Sequence, residues 1–378
     1  MMTQNKLSPK TKKVYEYLLH LFNNGNLPVG EQIPAENEIA EKLKVSRPTV
    51  AKAIKILVQE GKAYRKSGVG TFLKDSSGTK KRKKIIGLLF PLIGRGEIFH
   101  PITEEIAKLS ETLNFSLIWG GQFNGADITG TQMEQMIDFY VEQKVDGILL
   151  APMELTKNCF PINKKIINKL EQLNIPIVLV DGEYNEFPLR SKYDLVGIDN
   201  FRAGYISAEH FIRQGEKRID FLRQPFMAQT VPQRIMGYQQ ALLHSGINPC
   251  ENWIHTIHNF SAEDIFPIIN AGAKNIICAN DNIAMQFVKG LAQLDIRIPK
   301  DVRISGFDNI EAARYFPIAL TTIAQPCEEL AKTIINVMLS RIKNPDLPAR
   351  TVMLNFELKI RESSIISKDV CFTKTILK

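Results

Sequence analysis

From residue 85 onward, short apolar runs alternate with helix-like segments, and this rhythm limits the fold more than any other feature of the chain. Ile85-Ile-Gly-Leu-Leu-Phe90 is apolar throughout, as a strand buried on both faces must be. A helix is predicted over 101–113 and a strand over 115–119, with further strands near 147–151, 175–181, 195–198, 219–222, 253–256, 276–279 and 302–306. Alternation sustained over about 280 residues implies parallel sheets, and that length implies two lobes. The fold class is therefore α/β, with doubly wound parallel sheets. In such sheets ligands sit beyond the carboxyl ends of the strands. The polar residues there are Asp181, Asp199-Asn200, Asn280-Asp281 and Asp308-Asn309, with Arg234 placed to open a helix nearby. Carboxylates and carboxamides make paired hydrogen bonds to vicinal hydroxyls, and aromatic faces cover the C–H surfaces of sugars. Phe99, Trp119, Phe123, Tyr184 and Phe226 are candidates for the second role. Asp199 and Asp281 have helix capping as a rival explanation. His255 and His258, if extended, lie on opposite faces and make a poor metal pair.

The first 84 residues differ in kind. They hold 18 Lys/Arg against 7 Asp/Glu, whereas the rest holds 30 against 33, so a cationic head precedes a near-neutral body. Such a head can neutralise phosphates and release their counterions. Ser8-Pro9 starts a helix that Asn23-Asn24-Gly25 stops. Ile39, Ala40 and Leu43 form the apolar face of a second helix, Val45 turns the chain, and Ser46 caps a third helix that Gly61 ends. Two extended pieces, 63–66 and 71–74, flank Ser67-Gly68-Val69-Gly70. Three helices and a hairpin read as a winged helix-turn-helix, whose third helix enters the major groove by its N-terminal end. Arg47 suits a bidentate contact to guanine; Ser46 and Thr49 are short donors, and Lys52 fits a phosphate. Arg65 and Lys66, beside the Gly68 tip, belong to the wing.

The boundaries expected are 1–75 for the DNA-binding head, 76–84 for a basic linker ending in five consecutive cations, 85–362 for the two-lobed body and 363–378 for a tail. Five cysteines without close spacing argue against a disulfide framework or a zinc site, so no metal is expected and reduced thiols place the chain in the cytoplasm. Neither a signal peptide nor a membrane span is evident. No nucleophile elbow, HExxH pair, Walker loop or GxGxxG after a strand occurs, which weighs against an enzyme.

The stretch Ile33-Pro-Ala-Glu-Asn-Glu-Ile-Ala-Glu-Lys-Leu-Lys-Val-Ser-Arg-Pro-Thr-Val50, followed by Gly68-Val-Gly-Thr-Phe72, resembles a GntR-type DNA-binding domain. Asn37 and Ala51 stand where that family often has arginines, which implies a less guanine-dependent operator. The body resembles the LacI/GalR regulators, through Val145-Asp-Gly-Ile-Leu149, Val196-Gly-Ile-Asp-Asn200, Arg234-Ile-Met-Gly-Tyr238, Ile298-Pro-Lys-Asp-Val-Arg-Ile-Ser-Gly-Phe-Asp-Asn309 and Leu320-Thr-Thr-Ile-Ala-Gln-Pro326. That resemblance implies effector contacts at Arg234, Asn280 and Asp308, and often at Asp181. No leucine-containing hinge helix precedes the body, so its coupling to DNA differs from that family's. The combination is similar to the arabinose-repressor architecture. It implies a repressor that binds double-stranded operator DNA as a homodimer and responds to a small carbohydrate, a monosaccharide, without any cofactor. The alternative is a carbohydrate-binding protein, or a DNA-binding scaffold without effector control.

Overall fold

Residues 8–23, 31–66, 69–73, 82–90, 98–119 and 130–365 are described by the computed structural model. The chain divides into two compact units at Lys83/Lys84.

In the head, α1 (Pro9–Asn23), α2 (Glu36–Leu43) and α3 (Arg47–Gln59) precede the hairpin of β1 (Ala63–Lys66) and β2 (Gly70–Leu73). Apolar residues at helical spacing meet in one core, with Val14 and Leu18 from α1, Ile39 from α2, and Val50, Ile54 and Leu57 from α3 all buried. The turn between α2 and α3 is made by Lys44 rather than Val45: Lys44 is left-handed at φ 52°, and its N–H closes onto α2. Ser46 occupies the N-cap of α3, but its hydroxyl bonds the Thr49 hydroxyl at 2.8 Å and not the backbone. The expected side-chain cap is absent there: the Thr49 N–H donates to the Ser46 carbonyl at 2.9 Å, and Pro48 has no N–H to offer.

The body begins with β3 (Lys84–Leu89), α4 (Phe99–Thr112), β4 (Phe115–Trp119), α5 (Gly130–Glu142), β5 (Gly147–Leu150), α6 (Cys159–Gln172), β6 (Ile177–Val180) and β7 (Asp194–Ile198). The chain then crosses to the second lobe through α7 (Asn200–Ile212), β8 (Asp220–Arg223), α8 (Thr230–His244), β9 (Ile254–Thr256), α9 (Ala262–Asn270), β10 (Asn275–Cys278), α10 (Asp281–Gln293), β11 (Arg303–Asp308), α11 (Ala312–Tyr315) and β12 (Thr321–Ala324). It returns with α12 (Cys327–Lys343) and β13 (Thr351–Leu354), and crosses once more to β14 (Glu357–Lys359). The first sheet has the order β13-β7-β6-β5-β3-β4 and is parallel throughout. The second, β14-β12-β11-β10-β8-β9, is parallel except for its β14 edge. The fold is therefore mixed α/β, with one parallel sheet at the heart of each lobe. Ile198, Ala203, Phe307 and Ile323 form a small buried cluster where the crossings meet.

Lys84, expected in the linker, is the first residue of β3 and pairs with Asp146 at 3.0 Å. Ser363 and Ser364, expected in the tail, are buried, and Ser363 Oγ accepts the Thr321 N–H at 2.8 Å. The rest of the expected tail lies outside the described residues, apart from Ile365.

Helices α7 and α8 pack so closely that neither glycine at the crossing tolerates a side chain. A Cβ on Gly204 would lie 1.9 Å from the Arg234 carbonyl oxygen, and one on Gly237 would lie 1.8 Å from that of Phe201.

Candidate functional site

Between the carboxyl ends of the two sheets lies a cleft with about 360 Å3 of empty space, part of it open to solvent. Its lining brings together Phe99, Asp181, Arg234, Asn280 and Asp308. Asp181 follows β6, Asp308 ends β11, and Asn280 caps α10 just after β10, as the rule for parallel sheets anticipates. Asp181 and Asp308 have φ of 70° and 109°, conformations that side-chain-bearing residues adopt at a cost.

Arg234 is buried in the second turn of α8, which starts at Thr230, and so does not open the helix. The loop before α8 is shorter than the sequence suggests, because Pro232 is tolerated within the first helical turn. The Arg234 Nε donates to Asn200 Oδ1 at 2.8 Å, its Nη1 donates to the Ala279 carbonyl at 2.7 Å, and its guanidinium stacks 3.4 Å from the centroid of Phe307. Asp308 Oδ1 accepts from Gln325 Nε2 at 2.9 Å. Asp181 Oδ1 is buried without a hydrogen-bond partner. Asn280 Oδ1 accepts the Ile283 N–H at 2.8 Å, so the residue caps its helix while facing the cleft.

The two aspartates with a capping alternative separate cleanly. Asp199 caps α7 through the Arg202 N–H at 2.9 Å. Asp281 is no cap: it is fully buried and accepts from Thr322 Oγ1 at 2.7 Å and the Ile310 N–H at 3.0 Å, locking α10 to β12. Tyr184 borders a neighbouring compartment, whereas Trp119 and Phe226 are exposed and line neither, and Phe123 lies outside the described residues. His255 pairs with Asp220 at 2.8 Å.

Sequence reasoning missed Glu154. Its Oε2 accepts the Ala228 N–H at 2.7 Å, and the adjacent Leu155 N–H donates to the Phe226 carbonyl at 2.5 Å, so two bonds tie the lobes across the cleft. The signal was present, since Glu154 is the first carboxylate beyond β5.

Burial pushes Glu154 up to about 7, with Asp181 adding to the rise against the Ala228 N–H. Burial likewise lifts Asp308 to about 7, against the pull of Arg234 and Gln325. Both groups hold a proton more tightly folded than unfolded, so ionising them costs the folded state. The stability they contribute is fully present below the ordinary carboxylate range, near about pH 4, and is lost as pH rises through about 7. Asp194 works in the opposite sense: although burial raises it, Arg341 and Arg350 bring it below its usual value, so its contribution falls away in acid. The thermal midpoint should therefore rise as pH is lowered from about 8 to about 5.5. The double variant Glu154→Gln/Asp308→Asn should flatten that rise, and calorimetry across pH checks both; an unchanged slope would mean other groups dominate.

In the head, Ser46, Arg47, Thr49 and Lys52 occupy the N-terminal turns of α3, and Arg65 and Lys66 lie on β1. Arg47, Lys52, Arg65 and Lys66 are exposed. Arg47 and Arg65 share one counter-ion: Glu36 accepts from both, each at 3.3 Å, joining the start of α3 to the wing strand. Gly68 lies outside the described residues.

Residues 10–73 match the model of bacterial regulatory proteins of the gntR family, and residues 208–364 match that of the periplasmic binding protein-like domain. The chain joins a gntR-type regulatory head to a periplasmic binding protein-like body. Among the proteins this chain is similar to is the HTH-type transcriptional repressor PurR of Photobacterium profundum, 32% identical over 59% of this chain and 65% of the relative. The chain thus spans just under two thirds of that protein's length. The arabinose metabolism transcriptional repressor of Halalkalibacterium halodurans is 27% identical over 90% of this chain and 92% of its own. Among solved structures, a LacI family transcriptional regulator from Enterococcus faecium with bound ribose is 26% identical, with a TM-score of 0.60 over 74% of this chain and 98% of its own. These relatives are transcriptional regulators. No helix among the described residues is long and apolar enough to cross a membrane.

Proposed function

We propose that this gntR-headed protein is a cytoplasmic, sequence-specific DNA-binding transcriptional repressor, not an enzyme, whose operator affinity is set by a small carbohydrate bound between the lobes of its body. The observation that carries the reading is the convergence of Arg234, Asn280, Asp308, Asp181 and Phe99 on one cleft, in a chain whose head carries an exposed cationic helix end. Carboxylates around a fixed guanidinium accept from and donate to the hydroxyls of one sugar ring, while Phe99 offers a ring face. Ser46, Arg47, Thr49 and Lys52 read or grip the major groove, and Arg65, Lys66 and Gly68 bring the wing to the backbone. Two copies bind a near-palindromic site, symmetry matching symmetry. Sugar closes the lobes and misaligns the paired heads.

Coupling of this kind is reciprocal. With duplex selected by the full-length protein from a random library, saturating sugar should weaken DNA binding by about 5- to 150-fold, and saturating duplex should weaken sugar binding by the same factor. Titration in both directions measures it, and equal sugar affinity with and without duplex would refute the coupling. Arg47→Ala should abolish discrimination between that duplex and random DNA while sugar binding stays intact.

A further inference from the structure

Beside the Arg234 cleft lies a second compartment with about 410 Å3 of empty space, also open in part to solvent. The two share Phe99, Glu154, Asp181, Met227 and Ala228 as a common wall, so they are halves of one cavity. We propose that the second half is a distinct subsite for a neutral, hydroxyl-bearing second ring, so that the effector is disaccharide-sized. This rests on the carbohydrate reading above and specifies the ligand it leaves open.

Three observations converge. Glu183 lines the compartment and is only 7% exposed; its Oε1 accepts from the Ser191 N–H at 3.2 Å and Oγ at 3.1 Å, while its Oε2 is buried with no partner. Asp181 Oδ1, on the shared wall, is in the same condition. Buried acceptors are costly to leave unmade, and a ligand bringing O–H donors at both points relieves that cost. Next, Phe160 and Tyr184 provide aromatic surface, Tyr184 being braced at 6.3 Å by Tyr193. Such faces suit the C–H side of a second ring. Lastly, among the described residues three carboxylates and no lysine or arginine line this half. Among the described residues, an anionic extension such as a phosphate would find no cation on this half to pair with. Asn163 is already committed, exchanging hydrogen bonds with the Met153 backbone at 2.8 and 3.0 Å, so it holds the wall in place and does not read the ligand.

The test uses the full-length protein, with affinity measured by calorimetry for D-glucose, D-ribose and L-arabinose, for the disaccharides maltose, cellobiose, lactose and trehalose, and for glucose 6-phosphate. One disaccharide should bind about tenfold or more tightly than every monosaccharide, and glucose 6-phosphate should bind worse than glucose. Phe160→Ala and Glu183→Gln should each lower disaccharide affinity by about tenfold while leaving monosaccharide affinity unchanged. Phe160 is exposed enough that its truncation leaves the fold intact, which an unaltered thermal midpoint verifies. A monosaccharide that binds as tightly as any disaccharide overturns the subsite alone, as does indifference of the disaccharide to both substitutions. Absence of binding by every neutral sugar overturns the carbohydrate reading and the subsite with it.

Discussion

Arg234→Met should reduce effector affinity by at least about 100-fold while operator binding persists. Among the described residues, Arg234 is the lone cation lining either half of the cavity, facing Glu154, Asp181 and Asp308. Methionine keeps the volume of the stem and stays apolar against Phe307, so the packing loss is small. What goes is the charge that keeps the carboxylates ionisable. Burial already raises all three, and Arg234 opposes the rise at each of them. Without it all three are pushed further up, and a carboxyl that keeps its proton is a poorer acceptor for ligand hydroxyls. Arg234→Lys should fare little better, since an ammonium cannot bond Asn200, bond the Ala279 carbonyl and lie flat on Phe307 at the same time. Sugar titration with parallel binding to the selected duplex decides the matter. A variant that is folded, binds DNA and responds to sugar as before would show that Arg234 only supports the fold.

Gly237→Ala is expected to cost stability on the order of 3 kcal/mol. The new methyl would sit within 1.8 Å of the Phe201 carbonyl oxygen and 2.9 Å of the Tyr205 nitrogen, so the helices must separate. Both contacts are backbone, and no rotamer change relieves them. Separation also draws Arg234, on α8, away from Asn200, on α7. The variant should therefore lose sugar affinity as well as thermal midpoint, although Gly237 lines neither half of the cavity. Calorimetric melting and sugar titration on one preparation measure both effects. A midpoint within about a degree of the parent would contradict the crossing geometry.

The central parallel strands were legible where they are unbroken apolar runs, as at Ile177–Val180 and Gly147–Leu150, where every residue is buried. The last three strands were not. β12 reads Thr-Thr-Ile-Ala, and its threonines are buried only because Asp281, Ser363 and Ser364 satisfy them. β13 and β14 are edge strands with mixed exposure and no apolar signature. The same division holds in the cavity. Asp181, Asn280 and Asp308 were marked by their places at strand ends, whereas Glu154 and Glu183 follow the same logic but sit a few residues further along their loops. The shared use of Glu36 by Arg47 and Arg65 had no local signal, since the partners are 11 and 29 residues from it.

The three passages of the chain between lobes have a consequence for synthesis. The first lobe is not one stretch of polypeptide: it contains residues 84–198, but also α12 and its β13 edge, which are translated only after the second lobe's parallel strands. Arg341 and Arg350, which neutralise the buried Asp194 at 2.9 and 3.1 Å, belong to that late segment. A ribosome releasing this chain can therefore complete the head early, but the body's two sheets gain their edges almost together, after their central strands have emerged. Until then Asp194 is a carboxylate awaiting both its arginines, and the half-built sheet has an unpaired rim.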